Sequence, residues 1–363
     1  MDLHEKTNIK GGTVMYKGKN PFTISFGRKP VEYINRLSDS NRVITTFTQP
    51  PVTDQVYILM GIRGSGKTVL LTDICERIGQ MKNWLVIKIS PLDNILKALY
   101  SDLQNSRFFN PGNYEASYGL SLLGASVTVN HQRPEPNLVD AIDKTLATFQ
   151  KQGIKVLVAI DEATNTPQIQ QFASAFQLFI SNDRPLYFLA TGLYDEIMSL
   201  QDVKNLTFLY RSPKIVLAPL NQMAVANAYA SIFNLDQERS IEMARLTRGY
   251  PFAFQTLGYV CWEQGSCEIS EDTLQEYDQL LADASYAKLW SELSDLDQEV
   301  LSVIAENEGG KVKEFRERLN MNPNLFNQYR RRLKNKGLID TRKYGSISFT
   351  LPRFAEFVRF ETY

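Results

Sequence analysis

The sequence predicts an α/β fold in which a mainly parallel β-sheet is flanked by helices. A helical lid and a small C-terminal domain follow. Short continuous apolar runs bounded by turn residues recur through about the first 220 residues, and helix-periodic segments separate them. Alternation of buried strands with helices is typical of a doubly wound parallel sheet. Beyond that point the strand-like runs stop and helical segments take over.

Five apolar runs have the length and composition of strands that are buried on both faces. They lie at residues 56–60, 84–89, 156–160, 186–190 and 215–217. A helix is expected over 31–48, where Pro50 and Pro51 end it. The glycine- and serine-rich stretch 118–129 breaks the alternation and predicts an inserted hairpin.

The chain of 363 residues is long enough for two or three domains with buried cores. We expect an N-terminal arm (1–30), an α/β core (31–220), a helical lid (221–290) and a C-terminal domain (291–363). Hydrophobic residues make up 43% and charged residues 22%, which excludes global disorder, collagen-like repeats and extended coiled coil. The 40 basic residues balance the 40 acidic ones, so any charge bias toward a partner must be local.

The numbers of cysteine and histidine residues indicate the cellular compartment. Three cysteines and two histidines are too few and too scattered for a disulfide framework or a zinc site, which favours a reducing cytosol. The N-terminus lacks the apolar core of a signal peptide. Every long charge-free run is interrupted by polar residues or proline, whereas a spanning helix needs about 20 predominantly apolar residues. We therefore expect a cytoplasmic protein without a membrane segment.

The strongest motif is GIRGSGKT at residues 61–68, which matches G-x-x-x-x-G-K-[ST] between a strand and an amphipathic helix. In such a phosphate-binding loop (P-loop), glycines let backbone N–H groups turn around a phosphate, and the helix N-terminus adds partial positive charge. Lys67 would reach the β- and γ-phosphates, and the Thr68 hydroxyl would ligate Mg²⁺. The residues expected at the nucleotide are Gly61, Arg63, Gly64, Ser65, Gly66, Lys67, Thr68 and Val69.

The second motif is an acid pair, Asp161 and Glu162, directly after the run 156–160. Asp161 would contact Mg²⁺ through its water shell, and Glu162 would polarise the attacking water. The spacing leaves room for a strand and further helices between the two motifs, and no guanine-reading Asn-Lys-x-Asp is present. The pattern resembles the P-loop ATPases with an added catalytic glutamate, so ATP is the expected nucleotide.

Two further residues occupy places that carry function in AAA+ ATPases. Thr191, after the fourth apolar run, would lie between the two motif strands and hydrogen-bond the γ-phosphate or the attacking water. Arg211, just before the fifth run, takes the place of an arginine finger, which stabilises transition-state charge. An ordinary strand-ending threonine and a solvated arginine are the alternatives.

Segments outside the two motifs extend this resemblance. They are Asn20-Pro21-Phe22, Phe26-Gly27 and Arg248-Gly249-Tyr250-Pro251-Phe252. Together with the motifs they resemble the origin-recognition-like AAA+ ATPases, neighbours of the STAND ATPases, over nearly the whole chain. The resemblance implies that Arg36 lies near the adenine side of the nucleotide. It also implies that Pro251 and its neighbours place the lid over the nucleotide, and that Arg248 is a candidate γ-phosphate sensor.

The C-terminal half is dipolar. Residues 268–308 carry twelve acidic residues and one basic residue, whereas 311–343 carry eleven basic and three acidic ones, giving net charges of −11 and +8. Three helical segments followed by a two-stranded ribbon are a winged-helix pattern, in which the third helix enters the major groove and the ribbon contacts phosphates. The expected DNA-binding residues are Arg330, Arg331, Arg332, Lys334, Arg342 and Lys343.

The sequence therefore predicts an AAA+ type molecular switch that binds and slowly hydrolyses ATP with Mg²⁺. Its nucleotide state would control a winged helix that binds double-stranded DNA. One alternative is a STAND-like signalling scaffold with slow turnover, whose winged helix docks a protein or a second copy of the chain. Another is a DNA-binding regulator whose ATP site is mainly structural.

Overall fold

The structure is a computed structural model, in which the chain divides into two compact units. It describes residues 9–10, 13–14, 16, 18–25, 29–110, 137–203 and 207–362. The predicted hairpin at 118–129 and Phe26-Gly27 lie outside these residues. The "sheet unit" comprises Leu37–Met60 and Leu70–Ile215, and the "lid unit" comprises Met1–Arg36, Gly61–Val69 and Val216–Tyr363. The P-loop thus groups with the lid, and the predicted four-domain division stays a prediction.

The sheet unit is built on the five predicted strands. The strands of the chain are β1 (Ile9–Lys10), β2 (Thr13–Val14), β3 (Val56–Met60), β4 (Trp84–Ile89), β5 (Lys155–Ile160), β6 (Leu186–Gly192), β7 (Lys214–Val216), β8 (Ile339–Asp340) and β9 (Ser348–Phe349). The five-stranded sheet has the order β4-β5-β6-β3-β7, and β4, β5, β6 and β3 run parallel. All residues of β3 and β6 are buried, which explains why both read as continuous apolar runs.

Within the described ranges, seven helices precede β7. They are α1 (Leu37–Thr48), α2 (Lys67–Gly79), α3 (Ile95–Asn105), α4 (Leu138–Lys151), α5 (Pro167–Ser181), α6 (Tyr194–Gln201) and α7 (Thr207–Arg211). The expected start of the first helix at residue 31 is wrong, because its buried stripe begins only at Ser40 and Val31 is exposed. Phe172 and Phe176 of α5 pack on Phe188 of β6, with ring centroids 5.1 and 5.8 Å apart.

The lid consists of helices close to the expected ranges. They are α8 (Gln222–Phe233), α9 (Gln237–Thr247), α10 (Pro251–Gln264), α11 (Glu271–Leu281), a π-helical turn (Ala282–Tyr286) and α12 (Ala287–Ser291). The arm residue Phe22 packs on Phe233 and Phe254, with both ring-centroid distances 5.5 Å. A Cβ atom on Gly258 would lie 2.3 Å from the Phe22 ring, so only glycine permits this close packing.

The C-terminal domain contains the predicted three helices and ribbon, followed by one more helix. The helices are α13 (Asp295–Glu306), α14 (Val312–Arg318), α15 (Pro323–Asn335) and α16 (Phe354–Thr362). Strands β8 and β9 pair antiparallel. Helix α16, which the sequence analysis missed, places Phe354 and Phe357 on the buried Tyr286 ring at centroid distances of 5.1 and 5.7 Å. Across the described ranges, no helix combines the length and apolar character needed to cross a bilayer.

Candidate nucleotide-binding site

The P-loop has the backbone path that its sequence predicts. Gly64 and Gly66 have φ values of 74° and 87°, a region that side-chain-bearing residues rarely adopt. The Ser65 amide donates to the Ile62 carbonyl at 3.2 Å, which closes a turn. Successive residues with such alternating conformations turn their amides toward one concavity, and this arrangement binds anions.

The Lys67 ammonium is held at the loop. Its Nζ atom donates to the carbonyl oxygens of Gly61 and Ile62, both at 2.9 Å, and the residue is buried. A charged phosphate oxygen is a stronger acceptor than a neutral carbonyl. Nucleotide binding would therefore exchange these contacts for bonds to phosphate, as the expected role of Lys67 requires.

The Ser65 hydroxyl provides a test of whether this loop fits a phosphate ligand. Among the residues that the structure describes, the Ser65 hydroxyl and the Gln201 side-chain oxygen are buried polar atoms with no hydrogen-bond partner. Buried polar atoms are seldom left unsatisfied, because desolvation without a bond costs free energy. An unsatisfied hydroxyl within a loop of this geometry fits the binding of a group rich in oxygen acceptors.

Arg36 lies at the same loop. Its Nη2 atom donates to the Ser65 carbonyl oxygen at 3.3 Å. The structure thus brings Arg36 to the loop. Its place on the adenine side of the nucleotide, which the family resemblance implied, stays a prediction.

The segment after α9 donates hydrogen bonds to two carbonyl groups of the P-loop. The Tyr250 hydroxyl donates to the Arg63 carbonyl at 2.6 Å, and the Phe252 amide donates to the Gly64 carbonyl at 3.2 Å. A Cβ atom on Gly64 would lie 2.2 Å from the Tyr250 hydroxyl oxygen. Close approach as well as positive φ therefore requires glycine at position 64.

The remaining expected nucleotide contacts surround the end of the loop. A Cβ atom on Gly66 would lie 3.8 Å from the Pro251 ring, so Pro251 borders the loop. Thr68 and Val69 follow Lys67 in the first turn of α2, and both are partly exposed. Their predicted ligand contacts stay predictions.

In the sheet unit, Thr191 organises the acid pair. Its Oγ1 atom donates to Asp161 Oδ1 at 2.5 Å and accepts the Glu162 amide at 2.9 Å. Because β5 and β6 are parallel neighbours, the residues at their carboxyl ends lie side by side. Strand β6 runs two residues further than predicted and includes Thr191, which is fully buried. Thr191 therefore orients Asp161 and Glu162, and its predicted contact with the γ-phosphate or water stays a prediction.

Glu162 has an uncommon backbone conformation. Its φ is 55°, in the left-handed region, and its side chain is exposed. A residue with a Cβ atom in this region costs roughly 1–2 kcal/mol. The bond from its own amide to Thr191 and the bond from the Ala163 amide to the Thr191 carbonyl, 2.7 Å, hold the turn. Strained residues held in this way cluster at functional sites.

Arg248 has partners outside the P-loop. Its Nη1 atom donates to Glu308 Oε1 at 2.7 Å and to the Phe349 carbonyl at 2.9 Å, and Nη2 donates to Glu308 Oε2 at 3.3 Å. These bonds join the end of α9 to the C-terminal domain. Sensing of a γ-phosphate by Arg248 would require the guanidinium to leave this carboxylate. Arg211, the predicted arginine finger, is the last residue of α7 and is exposed.

The expected DNA-binding residues divide into two groups. Arg331, Lys334 and Lys343 are exposed, and Arg330 is partly buried. The other two bases are bound to neighbouring carboxylates.

Arg332 is bound to the buried Asp297, with Nε–Oδ1 2.9 Å, and to the Ser294 hydroxyl, also 2.9 Å. Arg342 bonds bidentately to Asp340, which holds the pKa of that carboxyl below its ordinary value. Internal ion pairing thus neutralises part of the predicted basic surface, a difference that charge counting along the sequence cannot reveal.

Comparisons with known proteins are consistent with this architecture. Residues 283–358 match a family model described as a domain of unknown function (DUF8462). The Walker-type ATPase PABY2304 of Pyrococcus abyssi is 15% identical, with a TM-score of 0.61 over 91% of this chain and 96% of that one. The Aeropyrum pernix ORC2 protein, solved as ADPNP-ADP complexes, is 14% identical, with a TM-score of 0.56 over 93% and 95%.

A search of curated proteins gave no match. At these identities, the structural likeness establishes the fold. The chain shares the fold of these two structures: a parallel five-stranded sheet flanked by helices, with a helical C-terminal region. The predicted fold class is confirmed.

Sequence reasoning pointed to Tyr250 but did not identify the contacts that it makes. The Tyr250 hydroxyl bonds Arg63 across 187 residues of sequence, and it also contacts Ser285. The Gly-Tyr-Pro motif drew attention to this segment, but it gave no sign of which atoms the tyrosine reaches. Glu308, the partner of Arg248, had no local signature at all.

Proposed function

We propose that the protein binds ATP or ADP together with Mg²⁺, hydrolyses ATP slowly, and acts as an AAA+ type molecular switch. The observation that carries this proposal is the geometry of the P-loop, with two glycines at positive φ, a buried lysine ammonium and an unsatisfied serine hydroxyl. The two structural neighbours support the nucleotide class, since one is described as a Walker-type ATPase and the other was solved with ADPNP and ADP.

Each motif has a distinct chemical task in this proposal. Loop amides and Lys67 would bind the phosphates, and Thr68 and Asp161 are the residues that would each ligate a metal ion. Mg²⁺, when bound, neutralises charge that develops on the phosphates during transfer. Glu162, exposed beside the metal-binding carboxylate, polarises the attacking water. Arg211 stabilises transition-state charge as an arginine finger.

We further propose that the C-terminal domain is a winged helix that binds double-stranded DNA. The exposed Arg331, Lys334 and Lys343 support this, because phosphate neutralisation releases counterions and supplies sequence-independent affinity. Arg330 can join them, whereas Arg332 and Arg342 contribute less because carboxylates already occupy them.

A second candidate follows from the same ion pairs. Because Asp297 and Asp340 neutralise two of the predicted bases, the domain can also serve as a protein-docking module of a STAND-like scaffold with slow turnover. The two candidates differ in whether the C-terminal domain binds duplex DNA in a salt-sensitive way.

The test combines a phosphate-release assay with fluorescence anisotropy of a labelled duplex. We expect Glu162→Gln to keep ATP binding and to lose turnover. We expect Arg331→Glu to weaken duplex binding and to flatten its salt dependence by about one phosphate contact. Arg359→Glu, an exposed arginine of α16, is the matched charge control. Full turnover by Glu162→Gln would remove that residue from its role, and absence of salt-sensitive duplex binding would favour the scaffold.

A further inference from the structure

We propose that Tyr250 is a positioning residue that sets the P-loop for nucleotide and couples the loop to the C-terminal domain through Ser285. The three residues Arg63, Tyr250 and Ser285 form what we call the Tyr250 relay. The inference rests on the proposed binding of Mg·ATP and goes beyond it, because it assigns a residue and a route by which the loop and the C-terminal domain affect one another.

The direction of the hydrogen bonds in the relay follows from proton counting. The Tyr250 hydroxyl lies 2.6 Å from the Arg63 carbonyl and 3.0 Å from Ser285 Oγ. A phenol has one proton, and a carbonyl can only accept, so Tyr250 donates to Arg63 and Ser285 donates to Tyr250. Both side chains are buried, Tyr250 with 4% and Ser285 with 0% of its surface exposed. Chained bonds of this kind strengthen one another.

The bond to Arg63 acts on the face of the loop that binds phosphate. In a trans peptide the carbonyl and the following N–H point in opposite directions. By fixing the Arg63 carbonyl, the Tyr250 hydroxyl also fixes the direction of the Gly64 amide in the same peptide plane. The Phe252 amide holds the next carbonyl, that of Gly64, at 3.2 Å. The lid therefore bonds to the carbonyl groups of the loop. Through the peptide planes, these bonds set the direction of the loop amides that would bind phosphate.

The other end of the relay lies in the π-helical turn of the lid, which is hydrogen-bonded to the C-terminal domain. Ser285 lies in the π-helical turn, inside the segment 283–358 that matches one family model. Its neighbour Tyr286 donates from its hydroxyl to the Pro352 carbonyl at 2.6 Å, just before α16. Turns of this helix type occur often at functional positions, because the additional residue redirects the side chains around it. A change in the direction of the Tyr250 hydroxyl would thus alter a turn that is hydrogen-bonded to Pro352, just before α16.

A purely structural role for Tyr250 makes a different prediction, and Tyr277 supplies the comparison. Tyr277 is also fully buried in the lid unit, and its hydroxyl donates to the Leu246 carbonyl at 3.2 Å. Tyr277→Phe removes one buried hydrogen bond without touching the loop. If Tyr250 matters only for stability, the two Tyr→Phe variants should behave alike in nucleotide binding.

The experiment is calorimetric titration of Mg·ADPNP into the full chain and four variants: Tyr250→Phe, Ser285→Ala, their double variant and Tyr277→Phe. We expect Tyr250→Phe to weaken binding about fivefold, the equivalent of one net hydrogen bond. Ser285→Ala should weaken binding less. The double variant should equal Tyr250→Phe, because Ser285 acts on the loop only through the Tyr250 hydroxyl. Tyr277→Phe should bind as the unaltered chain does.

Hydrogen exchange of residues 283–290 gives the second readout. Mg·ADPNP should change the exchange rates of these amides in the unaltered chain and in Tyr277→Phe. The change should be absent in Tyr250→Phe and in Ser285→Ala, although Ser285→Ala retains most of its affinity. A merely structural role would not separate affinity from this response.

The outcomes separate the inference from the proposed function. If the unaltered chain binds Mg·ADPNP but Tyr250→Phe binds equally well and gives the same exchange response, the inference fails and the proposed function stands. If the unaltered chain does not bind, both fail. If Tyr250→Phe does not fold, Ser285→Ala decides alone, and an unchanged exchange response in it overturns the inference.

Discussion

Glu162 has an exposed carboxylate and a left-handed backbone conformation, which is strained for a residue with a Cβ atom. Its φ of 55° is stabilised from outside, by Thr191 and by the turn at Ala163. Strain of this kind persists only where surrounding bonds determine the conformation. The strain at Glu162 thus lowers the stability of the fold, while the held conformation fixes the position of its carboxylate.

Replacement of Glu162 by glycine tests this trade directly. Glycine adopts the left-handed region without strain, so we expect Glu162→Gly to raise the free energy of unfolding by about 1 kcal/mol and to abolish ATP turnover. The measurements are a denaturant titration and a phosphate-release assay.

Asp183 supplies the matched control, because it has φ of 58° in a turn of the same unit. Asp183→Gly should stabilise the protein similarly and leave turnover unchanged. A Glu162→Gly protein that is no more stable than the unaltered chain would contradict the claim of strain.

At the scale of elements, Arg248 joins the end of α9 to the C-terminal domain. The guanidinium bonds to the Glu308 carboxylate and to the Phe349 carbonyl of β9. The side chains are 39% and 22% exposed, so solvent screens the pair and its coupling energy should be modest, about 1 kcal/mol.

A double-mutant cycle of Arg248→Ala and Glu308→Ala separates this role from phosphate sensing. We expect the two single variants to lose similar stability and to show a coupling of about 1 kcal/mol, while both bind Mg·ATP as the unaltered chain does. Thermal unfolding and calorimetry measure the two properties. Selective loss of ATP affinity in Arg248→Ala would instead support Arg248 as the γ-phosphate sensor.

The elements also show what a sequence can and cannot predict. Strands β3 and β4 were predicted with their observed bounds, because strands in a parallel sheet read as apolar runs. The start of α1 was wrong because helix ends depend on packing, and its buried stripe begins at Ser40. Helix α16 and the π-helical turn were missed, although Phe354, Phe357 and Val358 of α16 have the apolar spacing of a helix.

The candidate site was predictable to a different degree. The residues proposed to bind phosphate and metal follow from local motifs, because backbone geometry and side chains come together within a few positions. Contacts such as Tyr250 with Arg63, 187 residues apart, depend on tertiary packing and leave no local pattern. The same limit explains why Arg332 was predicted as a DNA contact, whereas it pairs with Asp297.

At the scale of the whole molecule, zero net charge conceals two opposed segments. Residues 268–308 carry a net charge of −11 and 311–343 carry +8. The pair of Arg332 with Asp297 connects these segments internally, so only part of the basic surface is available to an external polyanion. We therefore expect the proposed DNA binding to be weaker than the sequence count alone suggests.

The central claim is that the P-loop binds the phosphates of an adenosine nucleotide with Mg²⁺. Calorimetric titration of ATP into the intact chain, with and without Mg²⁺, tests it most directly, with Lys67→Ala as the variant and Lys313→Ala, an exposed lysine of α14, as the control. We predict magnesium-dependent binding that Lys67→Ala weakens at least about tenfold, since a bond to a charged group contributes about 1.5–3 kcal/mol. The control should bind as the unaltered chain does. Absence of magnesium-dependent binding by the unaltered chain would contradict the claim.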